Sequence, residues 1–110
     1  MAIRNGETYI SGLCDGREVW YGGERVSDVS KFNQFQAAVR SIAELYDMQH
    51  MEDNRALLSC YSEELDEEVG RSFQIPRSAE DLRLKREAYF LWAQANCGMI
   101  GRSPDFLNVM

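Results

Sequence analysis

The chain has 110 residues, 45% of them hydrophobic and 11% aromatic, and a formal net charge of −6. A chain of this size can bury a modest core, and the composition is that of a globular domain rather than a disordered segment. The negative balance excludes a phosphate-binding surface, which needs clustered Lys and Arg, so no nucleic-acid partner is expected.

No stretch approaches the ~20 apolar residues needed to span a bilayer. The polar residues 1–6 are followed by no apolar leader segment. No membrane partner and a cytoplasmic location are therefore expected. Cys14, Cys60 and Cys97 are odd in number and include no C-x-x-C pair, which points to free thiols in a reducing compartment. His50 is the only histidine, so no metal site is expected.

In chain order, Tyr9, Ile10 and Leu13 share one face and predict a short helix from about Glu7 to Asp15, closed by Gly16. Residues 17–29 read as a hairpin. Val19 and Tyr21 alternate with Glu18 and Trp20, and Gly22-Gly23 supplies the turn. Ser30 is the expected N-cap of a long helix over about 31–48. Its stripe of Phe32, Phe35, Val39, Ile42, Leu45 and Tyr46 is read as core packing. Leu57 to Tyr61 and Ser72 to Ile75 are expected to be short strands. Between them Glu63, Glu64, Asp66, Glu67 and Glu68 form a solvated loop.

Ser78-Ala79-Glu80-Asp81 has capping-box spacing and opens a second long helix, about 79–97. Leu82, Tyr89, Trp92, Ala93 and Cys97 lie broadly on one side of it. Lys85 lies with Arg83, Arg86 and Glu87 elsewhere, and Gly98 is the expected C′ residue. Cys97 reads as a small buried apolar residue at the helix end. Ser103-Pro104 then starts a further helix over 104–110, with Asp105 in its first turn. Phe106, Leu107 and Met110 begin an apolar face. A helix only just begun suggests a domain cut short.

The loop from Gly98 to Asp105 is the best candidate site. Gly98 and Gly101 flank Met99-Ile100, so the backbone can approach a ligand closely. Arg102 follows, just before a helix N-terminus, and a cation beside free backbone N–H groups suits an anion or a phenolate. Phe106 lies four residues on, placed to flank the same ligand. On these grounds alone an ordinary inter-helix turn with an exposed Arg is the commoner explanation. No G-x-G-x-x-G, P-loop or Ser/His/Asp pattern is present.

A family resemblance runs through these pieces. Asp15-Gly16-Arg17-Glu18-Val19-Trp20, Gly23-Glu24-Arg25-Val26 and Asp28-Val29 resemble the opening hairpin of the 4-hydroxyphenylacetate 3-monooxygenase oxygenase components. Ser41-Ile42-Ala43-Glu44-Leu45-Tyr46-Asp47, Ser78-Ala79-Glu80-Asp81-Leu82-Arg83 and Trp92-Ala93 continue the match in order. Gly98-Met99-Ile100-Gly101-Arg102-Ser103-Pro104-Asp105 closes it.

The resemblance implies a fold that is mainly α with a small β-hairpin. This would be the amino-terminal helical domain of an acyl-CoA dehydrogenase-like architecture, as a single domain over 1–110, truncated before the β-domain. It implies an oxidoreductase of aromatic catabolism, homotetrameric at full length. Such an enzyme takes reduced FAD from a separate flavin reductase and ortho-hydroxylates a phenolic substrate such as 4-hydroxyphenylacetate. Arg102 would be the catalytic contact. Arg102, Ser103, Pro104, Asp105 and Phe106 would line the substrate, with no cofactor-binding residue in this chain. A cation there favours the phenolate, whose ortho carbon is the better nucleophile. A shift of one pKa unit corresponds to ~1.4 kcal/mol, and Arg, which does not deprotonate, acts as a fixed charge.

Two departures stand out. Phe106 replaces the family's usual Tyr, so it can pack on a ring but cannot donate a hydrogen bond. That broadens the expected substrate to a phenolic compound. Lys31-Phe32-Asn33-Gln34-Phe35 replaces a common His-Pro pair and bears on the start of the helix. The alternatives are a non-catalytic remnant or interaction module, expected to be inactive in isolation, and a relative of 4-hydroxybutyryl-CoA dehydratase. The dehydratases hold an iron–sulfur cluster with a C-x-x-x-C pair here. Cys97 fills the first place, but position 101 is Gly.

Overall fold

The computed structural model describes residues 3–98. The chain divides into two compact units, Arg4–Asp47 and a second that takes in residues 48–98.

In the first unit, helix α1 (Gly6–Gly12) starts at Asn5, whose side chain accepts from the Thr8 N–H at 2.8 Å. The helix stops short of the expected Asp15. The Asp15 carboxylate takes the Arg17 N–H at 3.3 Å and the Arg17 guanidinium at 2.7 and 2.6 Å, a local turn that competes with further helix. Strands β1 (Val19–Tyr21) and β2 (Glu24–Val26) pair antiparallel with Val19 opposite Val26 and Tyr21 opposite Glu24. Gly22 and Gly23 join them at φ 59° and 85°, the two positive values that a type I′ hairpin turn needs.

Helix α2 (Asn33–Met48) begins later than Ser30 implied. The Ser30 N–H and hydroxyl both donate to Asp28 Oδ1, at 2.9 and 2.6 Å, so Asp28 organises this turn and Ser30 is spent within it. The aromatics meet one another, but none is buried, so the stripe is not the core that was expected; the buried residues of this unit are Gly6, Val26 and Ala43. Phe32 and Phe35 lie 5.2 Å apart, each meeting the Tyr21 ring edge-on at 5.5 Å, and Tyr9 stacks on Tyr46 at 5.1 Å. The closest approach of α1 and α2 is at Gly6. Its N–H donates to Asp47 Oδ1 at 2.7 Å, and a Cβ there would stand 2.8 Å from the Ala43 carbonyl oxygen.

The second unit departs further from expectation. Leu57 is not in a strand, because helix α3 (Glu52–Leu58) carries it. Strands β3 (Ser59–Ser62) and β4 (Glu67–Gly70) follow, with Cys60 opposite Val69 and Ser62 opposite Glu67. The acidic run is therefore split: Glu63 to Asp66 turn in solvent, while Glu67 and Glu68 are half-buried strand residues. The expected strand Ser72–Ile75 is absent. A 3-10 turn (Arg71–Phe73) opens that segment.

Its cause is Arg71, which is buried. The guanidinium donates to the carbonyl oxygens of Leu57 at 2.5 Å, Ala56 at 3.0 Å and Ser59 at 2.8 Å, and to Gln74 Oε1 at 3.0 Å. A cation here collects the carbonyls left without intrahelical partners at the end of α3.

Helix α4 (Ala79–Ala95) is capped by Ser78, whose hydroxyl accepts from the Asp81 N–H at 3.1 Å. Asp81 reaches back one residue further than a capping box does, to the Arg77 N–H at 2.9 Å, and also takes Gln74 Nε2 at 3.0 Å. The buried face is Lys85, Ala88 and Trp92. Leu82 and Cys97, expected inside, are exposed. Lys85, expected outside, is buried because its ammonium donates to the carbonyl oxygens of Ser72 at 3.2 Å and Gln74 at 2.9 Å. Paired with carbonyls, an amine can follow its aliphatic stem inward.

Candidate functional site

The residues expected to carry chemistry, Arg102, Ser103, Pro104, Asp105 and Phe106, lie outside the described residues, as does the helix expected over 104–110. What the structure gives is the approach to them. Helix α4 ends in two left-handed residues, Cys97 at φ 55° and Gly98 at φ 72°, and the Gly98 N–H donates to the Ala93 carbonyl at 2.8 Å. That bond closes a Schellman turn with Asn96 as C-cap, Cys97 at C′ and Gly98 at C″. Gly98 was expected at C′. The helix ends one residue earlier, and a side-chain-bearing residue takes the left-handed position that glycine fills more cheaply.

Elsewhere the polar groups are structural. Glu68 accepts from Arg55 at 3.0 and 2.5 Å and from the Ser59 hydroxyl at 2.6 Å. The Arg55 guanidinium, helped by Ser59, holds the Glu68 carboxyl down at about 2. It is a fixed anion at ordinary pH, not an acid–base group. The Cys60 thiol is pushed up by burial, against the pull of Arg71 and Lys85, so it stays protonated and is a poor nucleophile. Among the described residues no cluster of His, Cys, Asp or Glu could hold a metal ion. No helix of the described residues is long and apolar enough to cross a membrane.

Two grooves among the described residues do not suit a flavin dinucleotide. A groove of about 480 Å³ along α3 and β3 is lined by Glu52 and Glu68 with Arg55 already paired to Glu68. A second, of about 400 Å³, is rimmed by Glu63, Glu64 and Asp81, and its Arg77 is bonded to Glu64. Such rims repel a pyrophosphate, which needs free cations or a helix N-terminus. Arg71 and Lys85 are the buried cations that sequence reasoning missed. Both are satisfied by carbonyl oxygens, and no local pattern in the sequence marks them.

Residues 5–110 match the model of the family described as 4-hydroxyphenylacetate 3-hydroxylase, N terminal, and the chain belongs to that family. It is 44% identical over 108 residues to the 4-hydroxyphenylacetate 3-monooxygenase oxygenase component of Thermus thermophilus, covering 97% of this chain and 22% of that protein. It is 37% identical over 107 residues to the oxygenase component of a 4-nitrophenol 2-monooxygenase from a Rhodococcus species, covering 92% and 20%. The chain thus spans about a fifth of the length of these curated relatives. The crystal structure of a 4-hydroxyphenylacetate 3-monooxygenase oxygenase component complexed with FAD superposes with a TM-score of 0.87 at 43% identity, covering 94% of this chain and 22% of that one. A 4-hydroxybutyryl-CoA dehydratase from N. maritimus superposes with a TM-score of 0.70 at 32% identity, covering 84% and 18%.

Proposed function

We propose that this chain is the amino-terminal part of a two-component, FADH2-dependent aromatic monooxygenase that ortho-hydroxylates a phenol. The observation that carries the reading is the family match over residues 5–110, which includes the Gly-Arg-Ser-Pro-Asp segment, residues 101–105. In this reading the two units serve as the helical amino-terminal domain of an acyl-CoA dehydrogenase-like protein, cytoplasmic and homotetrameric at full length. Flavin, delivered reduced by a separate reductase, is held by chain outside these residues.

Arg102 binds the phenol oxygen and favours its ionised form. Ser103, Pro104 and Asp105 shape the helix start around it, and Phe106 packs on the ring. Because Phe106 has no hydroxyl, the substrate is assigned only as a phenolic compound, 4-hydroxyphenylacetate being one candidate. The dehydratase reading is disfavoured by Gly101, where a second thiolate would be needed, and by the lower identity and TM-score of that relative.

The test is Arg102→Ala in the full-length protein, reconstituted with a flavin reductase. Hydroxylated product should fall by roughly a hundredfold or more, the cost of removing one charged transition-state contact. Oxidation of reduced flavin by oxygen should continue. Unchanged phenol turnover would remove the assignment.

A further inference from the structure

Among the polar atoms enclosed without a hydrogen-bond partner are the Trp92 indole Nε1, in the last turn of α4, and Oδ1 of its C-cap Asn96. Trp92 is 7% exposed, and Asn96 is the C-cap of the helix, half-buried. The two residues stand at i and i+4, so their side chains are neighbours on one face, roughly 6 Å apart at Cβ. The Tyr89 ring stacks on the Trp92 side chain at 6.2 Å with 26° between planes. An indole N–H can only donate, and an amide oxygen accepts. Left as they are, each would carry the penalty of a buried, unmade hydrogen bond, which native structures almost always avoid.

One group answers both atoms at once. A hydroxyl accepts from an N–H and donates to a carbonyl, and it also suits Asn96 with its amide reversed, by accepting twice. A carboxylate would leave the amide oxygen unsatisfied, and an ammonium would oppose the indole N–H.

We propose that Trp92 and Asn96 form a binding site for a single hydroxyl group, filled by an internal water that takes the indole N–H and donates to the Asn96 amide oxygen. The water, rather than a ligand hydroxyl, is assigned because both atoms are enclosed within the fold. Buried polar atoms of this kind are where ordered waters belong. Standing one residue before the left-handed Cys97-Gly98 turn, Asn96 is tied by the water to Trp92 in the last turn of α4. It thereby helps to fix where the chain leaves the helix toward Arg102.

The test uses the chain labelled with ¹⁵N. It has two tryptophans, so two indole N–H signals are expected. Trp20, 60% exposed with its N–H on Glu18 at 2.8 Å, is the internal control. The Trp92 N–H should exchange with solvent at least a hundredfold more slowly than that of Trp20, as a buried group does. It should also show water cross-peaks of opposite sign in laboratory- and rotating-frame Overhauser spectra, the mark of a long-lived bound water. Asn96→Leu should abolish those cross-peaks while exchange at Trp92 stays slow. Saturating phenol should leave the wild-type cross-peaks unchanged. A slow Trp92 N–H without water cross-peaks overturns the proposal, as does their persistence in Asn96→Leu. Their loss on adding phenol assigns the site to a ligand hydroxyl and overturns the water.

Discussion

The two units of the chain are built on different principles. In Arg4–Asp47 the packing rests on half-exposed rings and close backbone approach: Tyr21 with Phe32 and Phe35, Tyr9 on Tyr46, and Gly6 against Ala43. In residues 48–98 two buried cations are threaded onto carbonyl oxygens, Arg71 onto those at the end of α3 and the start of β3 and Lys85 onto those of Ser72 and Gln74 between β4 and α4. Apolar packing is graded and tolerates some adjustment. A buried guanidinium with four partners is all-or-none, because removing it strands every acceptor at once.

The contrast can be broken deliberately. Arg71→Ala leaves the carbonyl oxygens of Ala56, Leu57 and Ser59 without their donor and should destabilise by about 3 kcal/mol. Arg71→Lys should recover little of this, because one ammonium cannot reproduce the planar fork. Urea denaturation with hydrogen exchange across residues 48–98 measures both. Equal stability of wild type and Arg71→Ala would mean that the carbonyls find other partners. Gly6→Ala is the corresponding probe of the first unit. Its new Cβ meets the Ala43 carbonyl oxygen, which is backbone and cannot swing away, so a loss of about 2 kcal/mol is expected.

A smaller effect of opposite sign is expected at Cys97. Relieving its left-handed backbone with Cys97→Gly should stabilise by about 1 kcal/mol, read as a raised urea midpoint. Smallest of all is the Glu68 pair. Because the folded-state carboxyl is held at about 2, below its ordinary value, it adds stability above pH ~4.3 that fades as pH falls toward 2. Glu68→Gln should flatten that acid limb. The loss at neutral pH should be under about 1 kcal/mol, since the pair is partly exposed and screened.

The same contrast explains what could be read in the sequence. Periodic apolar residues and turn glycines made the hairpin, α2 and α4 legible, because those signals are local. The aromatic stripe of α2 was read as core, whereas its residues are half-buried and its rings pack on one another. The segment from Glu52 to Pro76 was not legible. Its conformation is set by Arg71, 12 to 15 positions from the carbonyls it binds, and no local pattern encodes such a partner. The inward turn of Lys85 has the same origin: its partners are the carbonyls of Ser72 and Gln74, 13 and 11 positions away. At the candidate site the sequence stands alone. Arg102 to Phe106 were singled out by their chemistry and their order in the chain, and they lie outside the described residues.

The central claim is that Arg102 favours a phenolate, and it is tested most directly by titrating bound phenol in the full-length protein. With 4-nitrophenol as the ligand, ionisation is read from its visible absorbance. The account predicts that the bound phenol ionises at lower pH than free phenol in the wild type, by about one unit or more, corresponding to ~1.4 kcal/mol per unit. In Arg102→Ala that shift should vanish. The same lowered value in both proteins would contradict the account and place the responsible charge elsewhere.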